Sequence, residues 1–182
     1  MFGKALANGF SLSALCGRRD LMRLGSRERE QDNVFLLSTT HGAETPSMAA
    51  ALATMKIYKT EPVVEKLHRQ GARLAEGVRQ AIERHGLGQQ VNVVGRACNL
   101  FYGTKDGAGQ ASQAFRTLFL QEIIRRGVIA PSFVVAYTHE DEDIDKTVEA
   151  VDGALAVYAR ALTDGVDKHL VGHPSRLVFG RR

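Results

Sequence analysis

The sequence predicts a mixed fold, partly α/β and partly α+β, and two observations support this. Hydrophobic periodicity alternates between helix and strand along the 182 residues, and from about residue 61 the predicted elements follow the order αββαβ(β)α, an independent α+β layer structure. Residues 1–60 hold only one or two strand candidates and one helix, too few for a domain. We therefore expect the end of a larger domain at 1–60, a small α+β domain at 61–164 and a tail at 165–182.

The elements of the first part can be justified one by one. Alternating small and apolar residues at 11–15 predict a strand, and 18–24 suits one or two helical turns. A short apolar run, Val34–Leu37, predicts a buried strand. Pro46 is favourable in the first turn of a helix, which we expect to continue to about Tyr58. Its many alanines favour close packing against another body.

The small domain begins with a long amphipathic helix from Pro62 to about His85, which Gly86 and Gly88 end. Acidic residues at 140–143 favour the start of the last helix, which extends to about Leu162. Between these helices the pattern predicts strands at 91–94 and 99–102, a glycine-rich turn at 105–109, a helix at 112–126, and strands at 128–130 and 133–137.

Composition excludes several classes of protein. The chain is 44% hydrophobic and 24% charged, as in ordinary globular domains, and no apolar run is long enough to cross a membrane. Polar residues interrupt Met1–Leu15, which argues against a signal peptide. The net charge is +4, but basic residues alternate with acidic ones, as in Arg27–Glu30, which argues against nucleic-acid binding. Cys16 and Cys98 fit a reducing cytoplasm and are expected to be buried packing residues.

Lys4 is the candidate catalytic residue. A lysine that forms a Schiff base must be held near its cofactor and partly desolvated, so that its amine can be neutral. Gly3, Asn8 and Gly9 allow the backbone to turn tightly beside a bulky ring. Spacing alone does not distinguish Lys4 from an ordinary solvated loop lysine.

Three linked motifs carry a resemblance to a known family. They are Gly3-Lys4-Ala5-Leu6-Ala7-Asn8-Gly9, then Gly17-Arg18-Arg19-Asp20-Leu21-Met22, and then Ser38-Thr39-Thr40-His41-Gly42 before the alanine-rich helix. In order, spacing and composition, the chain resembles class III aminotransferases, closest to the glutamate-1-semialdehyde 2,1-aminomutase-like branch. The resemblance covers essentially the whole chain.

The resemblance implies the C-terminal part of a fold-type I transferase that depends on pyridoxal 5'-phosphate (PLP): the end of the large domain plus the small αββαβα domain. It implies that Lys4 forms the Schiff base with PLP and then moves a proton between substrate carbons. Thr40, or Thr39 beside it, would bind the cofactor phosphate across a homodimer interface. Hydroxyl and N–H groups just before a helix suit an anion. The implied substrate is a small amino or keto acid.

Several alternatives stay open. His41-Gly42-Ala43 replaces the Ser-Gly-Asn-Pro often found in aminomutases, so transamination and an intramolecular amino shift both remain possible. The family places its phosphate turn, stacking aromatic and ring-pairing Asp before the lysine. The chain is therefore expected to be a C-terminal fragment, and the alternative function is a truncated, non-catalytic module. His41, Glu44, and His139 with its acidic neighbours are expected to be structural, and no metal site is predicted.

Overall fold

A computed structural model describes residues 2–26 and 44–176. The candidate phosphate-binding residues Thr39 and Thr40, and the strand predicted at Val34–Leu37, lie outside these ranges. The chain divides into two compact units, one ending at Val63 and the other beginning at Val64. The elements are helices α1 (Arg19–Met22), α2 (Thr45–Thr60), α3 (Val63–Arg84), α4 (Gln113–Arg125) and α5 (Asp141–Asp164), and strands β1 (Val91–Arg96) and β2 (Asn99–Thr104).

In the first unit, an isolated antiparallel bridge joins Phe2 to Ala14 through two backbone hydrogen bonds of 2.8 Å. The strand predicted at 11–15 is reduced to this bridge. A 3₁₀ turn, Lys4–Leu6, lies between the bridged residues. The predicted helical turns are confirmed, because α1 is followed directly by the 3₁₀ turn Arg23–Gly25.

Helix α2 confirms the predicted helix and has Pro46 in its first turn. The side chains it buries are small, Ser47 and Ala51. Its large apolar side chains are instead about half exposed: Met48, Leu52, Met55, Ile57 and Tyr58. Helices of soluble domains normally bury such residues, so exposed apolar side chains of this kind indicate an interaction surface.

The second unit begins with α3, which packs Leu74, Val78 and Ile82 into the core and ends before Gly86 (φ +67°). The predicted hairpin is confirmed. Strands β1 and β2 pair in register from Val91↔Thr104 to Arg96↔Asn99. The hairpin buries one face against the core, with Val91, Val93, Leu100 and Tyr102 all nearly inaccessible to solvent.

Helices α4 and α5 complete this core. The Ser112 hydroxyl accepts a hydrogen bond from the Phe115 N–H and caps α4. Glu140 and Asp143 form a capping box at the start of α5, which confirms the role predicted for the acidic run. The largest buried side chains of the unit pack in the shared core: Tyr158, Phe119, Phe133, Leu100, Leu118, Ile123, Ile144 and Leu155.

The strands predicted at 128–130 and 133–137 are wrong. Within the described residues this segment forms one bridge, in which Phe133 and Leu100 exchange two backbone hydrogen bonds. In one direction the next paired position would be Pro131, which has no N–H to donate. In the other direction the pairing positions would precede Asn99, the first residue of β2, so no strand remains for this segment to pair with. Phe133 and Val135 still point into the core, because burial does not require a ladder.

None of the helices in the described ranges combines the length and the apolar character that crossing a bilayer requires.

Candidate functional site

Lys4 occupies an unusual backbone conformation. Its φ angle is +50°, in the left-handed region that residues with a Cβ rarely adopt. Such conformations cost of order 1–3 kcal/mol and cluster at functional sites, where surrounding structure holds them. The Lys4 side chain is exposed and has no hydrogen bond or ion pair with any other described residue. Its amine is therefore sterically accessible to a ligand, and the described residues do not give it the partial desolvation expected of a Schiff-base lysine.

The loop that presents Lys4 is held at both ends and in the middle. The Phe2–Ala14 bridge closes it, and a Leu6 N–H to Gly3 carbonyl hydrogen bond of 3.1 Å forms the turn that contains Lys4. Ala7 is only 1% exposed and anchors the loop within the first unit. The turn Lys4–Leu6 contacts α2, the helix that follows the predicted phosphate-binding segment in sequence.

The structure does not test whether Thr39, Thr40 and His41 lie near Lys4, because all three are outside the described residues. Glu44 is described, and it is the residue from which α2 starts. Its carbonyl accepts the Met48 N–H at 3.0 Å, which places Glu44 at the N-cap of α2.

The polar cluster at His139 is structural, as expected. His139 Nδ1 accepts a hydrogen bond from the Ala136 N–H, and its carbonyl oxygen accepts one from Gln70. The neighbouring acids cap α5 or form ion pairs with α3, among them Lys66–Glu140 and Arg73–Asp145. No group of metal-ligating side chains converges anywhere in residues 2–26 and 44–176.

The expectation that both cysteines are buried is wrong. Cys16 is exposed and Cys98 is partly exposed, and neither forms a disulfide. Cys16 lies in the connection between the Ala14 bridge and α1. Cys98 lies in the tight turn between β1 and β2, a position that leaves it partly exposed.

Two buried polar arrangements were not predicted from the sequence. The Tyr158 hydroxyl donates to the Lys105 carbonyl at 2.5 Å and accepts from the Lys105 N–H at 3.1 Å, which fixes the turn after β2. Burial raises the pKa of Tyr158 well above its usual range. The apolar periodicity of α5 shows that Tyr158 is inward, but the contact spans 53 residues and leaves no local signal.

The second buried polar arrangement surrounds Glu122. Its carboxylate is buried and accepts hydrogen bonds from Arg125 at 2.7 Å and Arg126 at 2.8 Å. Burial raises the pKa of Glu122. Hydrogen bonds from Arg126 and Gln121 and the charge of Arg125 lower it by more than burial raises it, so the net pKa lies below its ordinary value. The group remains ionised and ties the end of α4 together.

Comparison with known proteins places the chain. Residues 1–155 match the family described as aminotransferase class-III. The chain belongs to the class-III aminotransferase family. The mixed fold class is also confirmed, because the structure resembles a solved transaminase with PLP bound at a TM-score of 0.76, over 90% of this chain and 38% of that one, with 21% identity.

Named relatives of this class-III aminotransferase chain include two types of enzyme. It is 28% identical over 164 residues to a 3-aminobutyryl-CoA aminotransferase of Cloacimonas acidaminovorans, covering 88% of this chain and 38% of the relative. It is 32% identical over 165 residues to a glutamate-1-semialdehyde 2,1-aminomutase of Aeropyrum pernix, covering 85% of this chain and 38% of that relative. The FumI protein of Sphingopyxis sp. MTA144, solved in its PLP internal aldimine form, matches with a TM-score of 0.71 and 26% identity, over 89% of this chain and 37% of FumI. The chain thus spans about 38% of the length of the curated relatives it matches.

Proposed function

We propose that this chain is part of a PLP-dependent aminotransferase or aminomutase that acts on the amino or keto group of a small carboxylic acid. Family membership supports the reaction class. The single structural observation that supports the site is the left-handed backbone of Lys4, a strained conformation at the residue to which the family motif assigns the chemistry.

In this proposal Lys4 holds the cofactor covalently through its Nζ. PLP, when bound, supplies an electron sink for the carbanion that forms when a proton leaves the substrate carbon. Once the substrate displaces it, the Lys4 amine is the base that takes this proton and returns it. The same Nζ would serve both transamination and an intramolecular amino shift, because each needs a base that takes a proton from one carbon and returns it to another.

Lys4 meets the steric requirements of this role. Its side chain is exposed, and it carries no competing ion pair among the described residues. We assign the cofactor phosphate to Thr40, with Thr39 as the alternative. The support is sequence position, since a hydroxyl that precedes the start of α2 at Thr45 suits an anion.

We propose that residues 1–60 correspond to the end of the PLP-binding large domain and residues 61–164 to the small domain, with a tail from 165. We also propose a homodimer in which the phosphate site is shared. The exposed apolar residues of α2, which directly follow the phosphate segment, support a subunit interface there. The two free cysteines support a location in the cytoplasm.

The experiment that tests the site is covalent trapping. The full chain is incubated with PLP and reduced with borohydride, and the phosphopyridoxyl group is located by mass spectrometry. We expect a stoichiometric adduct on Lys4, with far less on Lys56 and Lys59, exposed lysines of the same unit that serve as internal controls.

The matched variants are Lys4→Ala and Lys56→Ala. Lys4→Ala should abolish the stoichiometric adduct, whereas Lys56→Ala should leave it unchanged. Sparse labelling spread evenly over many lysines would contradict the proposal and favour the alternative, a folded module without catalytic activity.

A further inference from the structure

A second residue of the Lys4 loop is also left-handed. Asn8 has φ +44° and is followed by Gly9 at φ +112°. Together they reverse the chain, and a hydrogen bond of 3.2 Å from the Phe10 N–H to the Ala7 carbonyl closes the reversal. Within the described residues, Lys4 and Asn8 are the only residues other than glycine with positive φ.

The two left-handed residues belong to one closed loop. The Phe2–Ala14 bridge leaves eleven residues, 3–13, to leave and return to adjacent positions. The chain turns first at Lys4 and then at Asn8, and Ala7 between them is buried. With the ends and the middle of this short loop held, a change in the backbone of Asn8 should alter the path of the chain at Lys4.

Asn8 can make this contribution only through its backbone. Its side chain is exposed and has no hydrogen-bond partner among the described residues, so it adds nothing to the core. Asparagine is one of the few residues with a Cβ that visits the left-handed region readily, while a β-branched residue strongly disfavours it. Glycine would adopt the same conformation without steric cost.

We infer that Asn8 is a positioning residue for Lys4, which holds the lysine amine in its reactive direction through the left-handed turn that Asn8 forms. The inference rests on the proposed role of Lys4 and deepens it. It also predicts a ranking of Asn8 variants, because the effect of each substitution on Lys4 labelling depends on its backbone preference and not on its side-chain chemistry.

The test compares Asn8→Gly, Asn8→Ala and Asn8→Val in the full chain. The readout is the amount of phosphopyridoxyl adduct on Lys4 divided by that on Lys56 and Lys59, after limiting reaction with PLP and borohydride reduction. Asn8→Gly should keep this ratio, Asn8→Ala should lower it about threefold, and Asn8→Val should lower it about tenfold or more. Ser11→Val is the matched control, because Ser11 is exposed in the same loop with an ordinary φ, and it should leave the ratio unchanged.

The outcomes separate the two proposals. If the unchanged chain shows no preference for Lys4, the proposed role of Lys4 fails and this inference fails with it. If the unchanged chain labels Lys4 selectively and Asn8→Val does so equally, only the inference fails. If Asn8→Gly lowers the labelling ratio as much as Asn8→Val does, the inference is also overturned, since the side chain of Asn8 and not its turn would then matter. Asn8→Gly does not disfavour the native loop, so it remains informative even if Asn8→Val unfolds the first unit.

Discussion

Gly71 lies where α3 meets the turn between β1 and β2, and a single methyl group at this point should destabilise the second unit. A Cβ built on Gly71 would overlap the carbonyl oxygen of Ala97 and lie 2.5 Å from its carbonyl carbon, whereas real Cβ contacts do not fall below 3.0 Å. Both partners are backbone, so no side-chain rotation can relieve the overlap. Helix α3 or the turn must move.

The magnitude follows from two opposing effects. Overpacking of a tight core costs about 3 kcal/mol when the neighbour cannot adapt. Alanine in place of glycine within a helix recovers about 1 kcal/mol. The net loss for Gly71→Ala is therefore about 2 kcal/mol, which for a unit of this size lowers the melting temperature by about 8 °C.

Two other glycines provide a graded comparison, measured by urea unfolding and by thermal unfolding followed by circular dichroism. An added Cβ on Gly77 would lie 2.6 and 3.0 Å from the two methyl carbons of Val148, and a side chain can shift more easily than a backbone carbonyl, so Gly77→Ala should cost less than Gly71→Ala. Gly88 has no atom within 4 Å of an added Cβ, and Gly88→Ala should change stability by less than about 0.5 kcal/mol. If the Gly71→Ala and Gly88→Ala variants have the same melting temperature, the reasoning is refuted.

Two further predictions concern charge and assembly. Glu122→Gln should cost about 2 kcal/mol at neutral pH, because two arginines lose a charged acceptor. The native pKa of Glu122 lies below the ordinary 4.5, so its contribution is complete above that pH and is lost as the pH falls through the native pKa. On α2, Leu52→Glu should weaken self-association at least about tenfold in sedimentation equilibrium, because it places a charge in the apolar interface proposed there.

Each of these has a control. Glu83 is exposed, and Glu83→Gln should leave both the stability and its pH dependence unchanged. If the unfolding free energies of Glu122→Gln and the unchanged chain differ by the same amount at pH 3 and pH 7, the assigned linkage is wrong. Val171 is 75% exposed in the second unit, and Val171→Glu should leave the dimer intact. A chain that sediments as a monomer before any substitution would exclude the homodimer.

The sequence predicted most helices well because their ends depend on residues within one turn. Pro46 marks the start of α2, Gly86 follows α3, and the acids at 140–143 cap α5, all through local backbone geometry and local charge. The hairpin was predictable for the same reason, since alternation defines each strand and a short turn pairs them. The prediction of a strand at 133–137 was wrong because strand pairing depends on a distant partner. Pro131 and the start of β2 at Asn99 limit the pairing of this segment to one bridge.

By itself the sequence determined the family, the candidate lysine and the order of elements, because these depend on residue identity and spacing along the chain. Only the tertiary structure decided which residues are held in costly conformations and which distant groups meet. Lys4 and Asn8, with their positive φ angles, lie in a loop that Phe2 and Ala14 close, and the contact of Tyr158 with Lys105 joins residues far apart in the chain. Both require the chain to return on itself, and that return is governed by packing and hydrogen bonding over long sequence separations that no local pattern records.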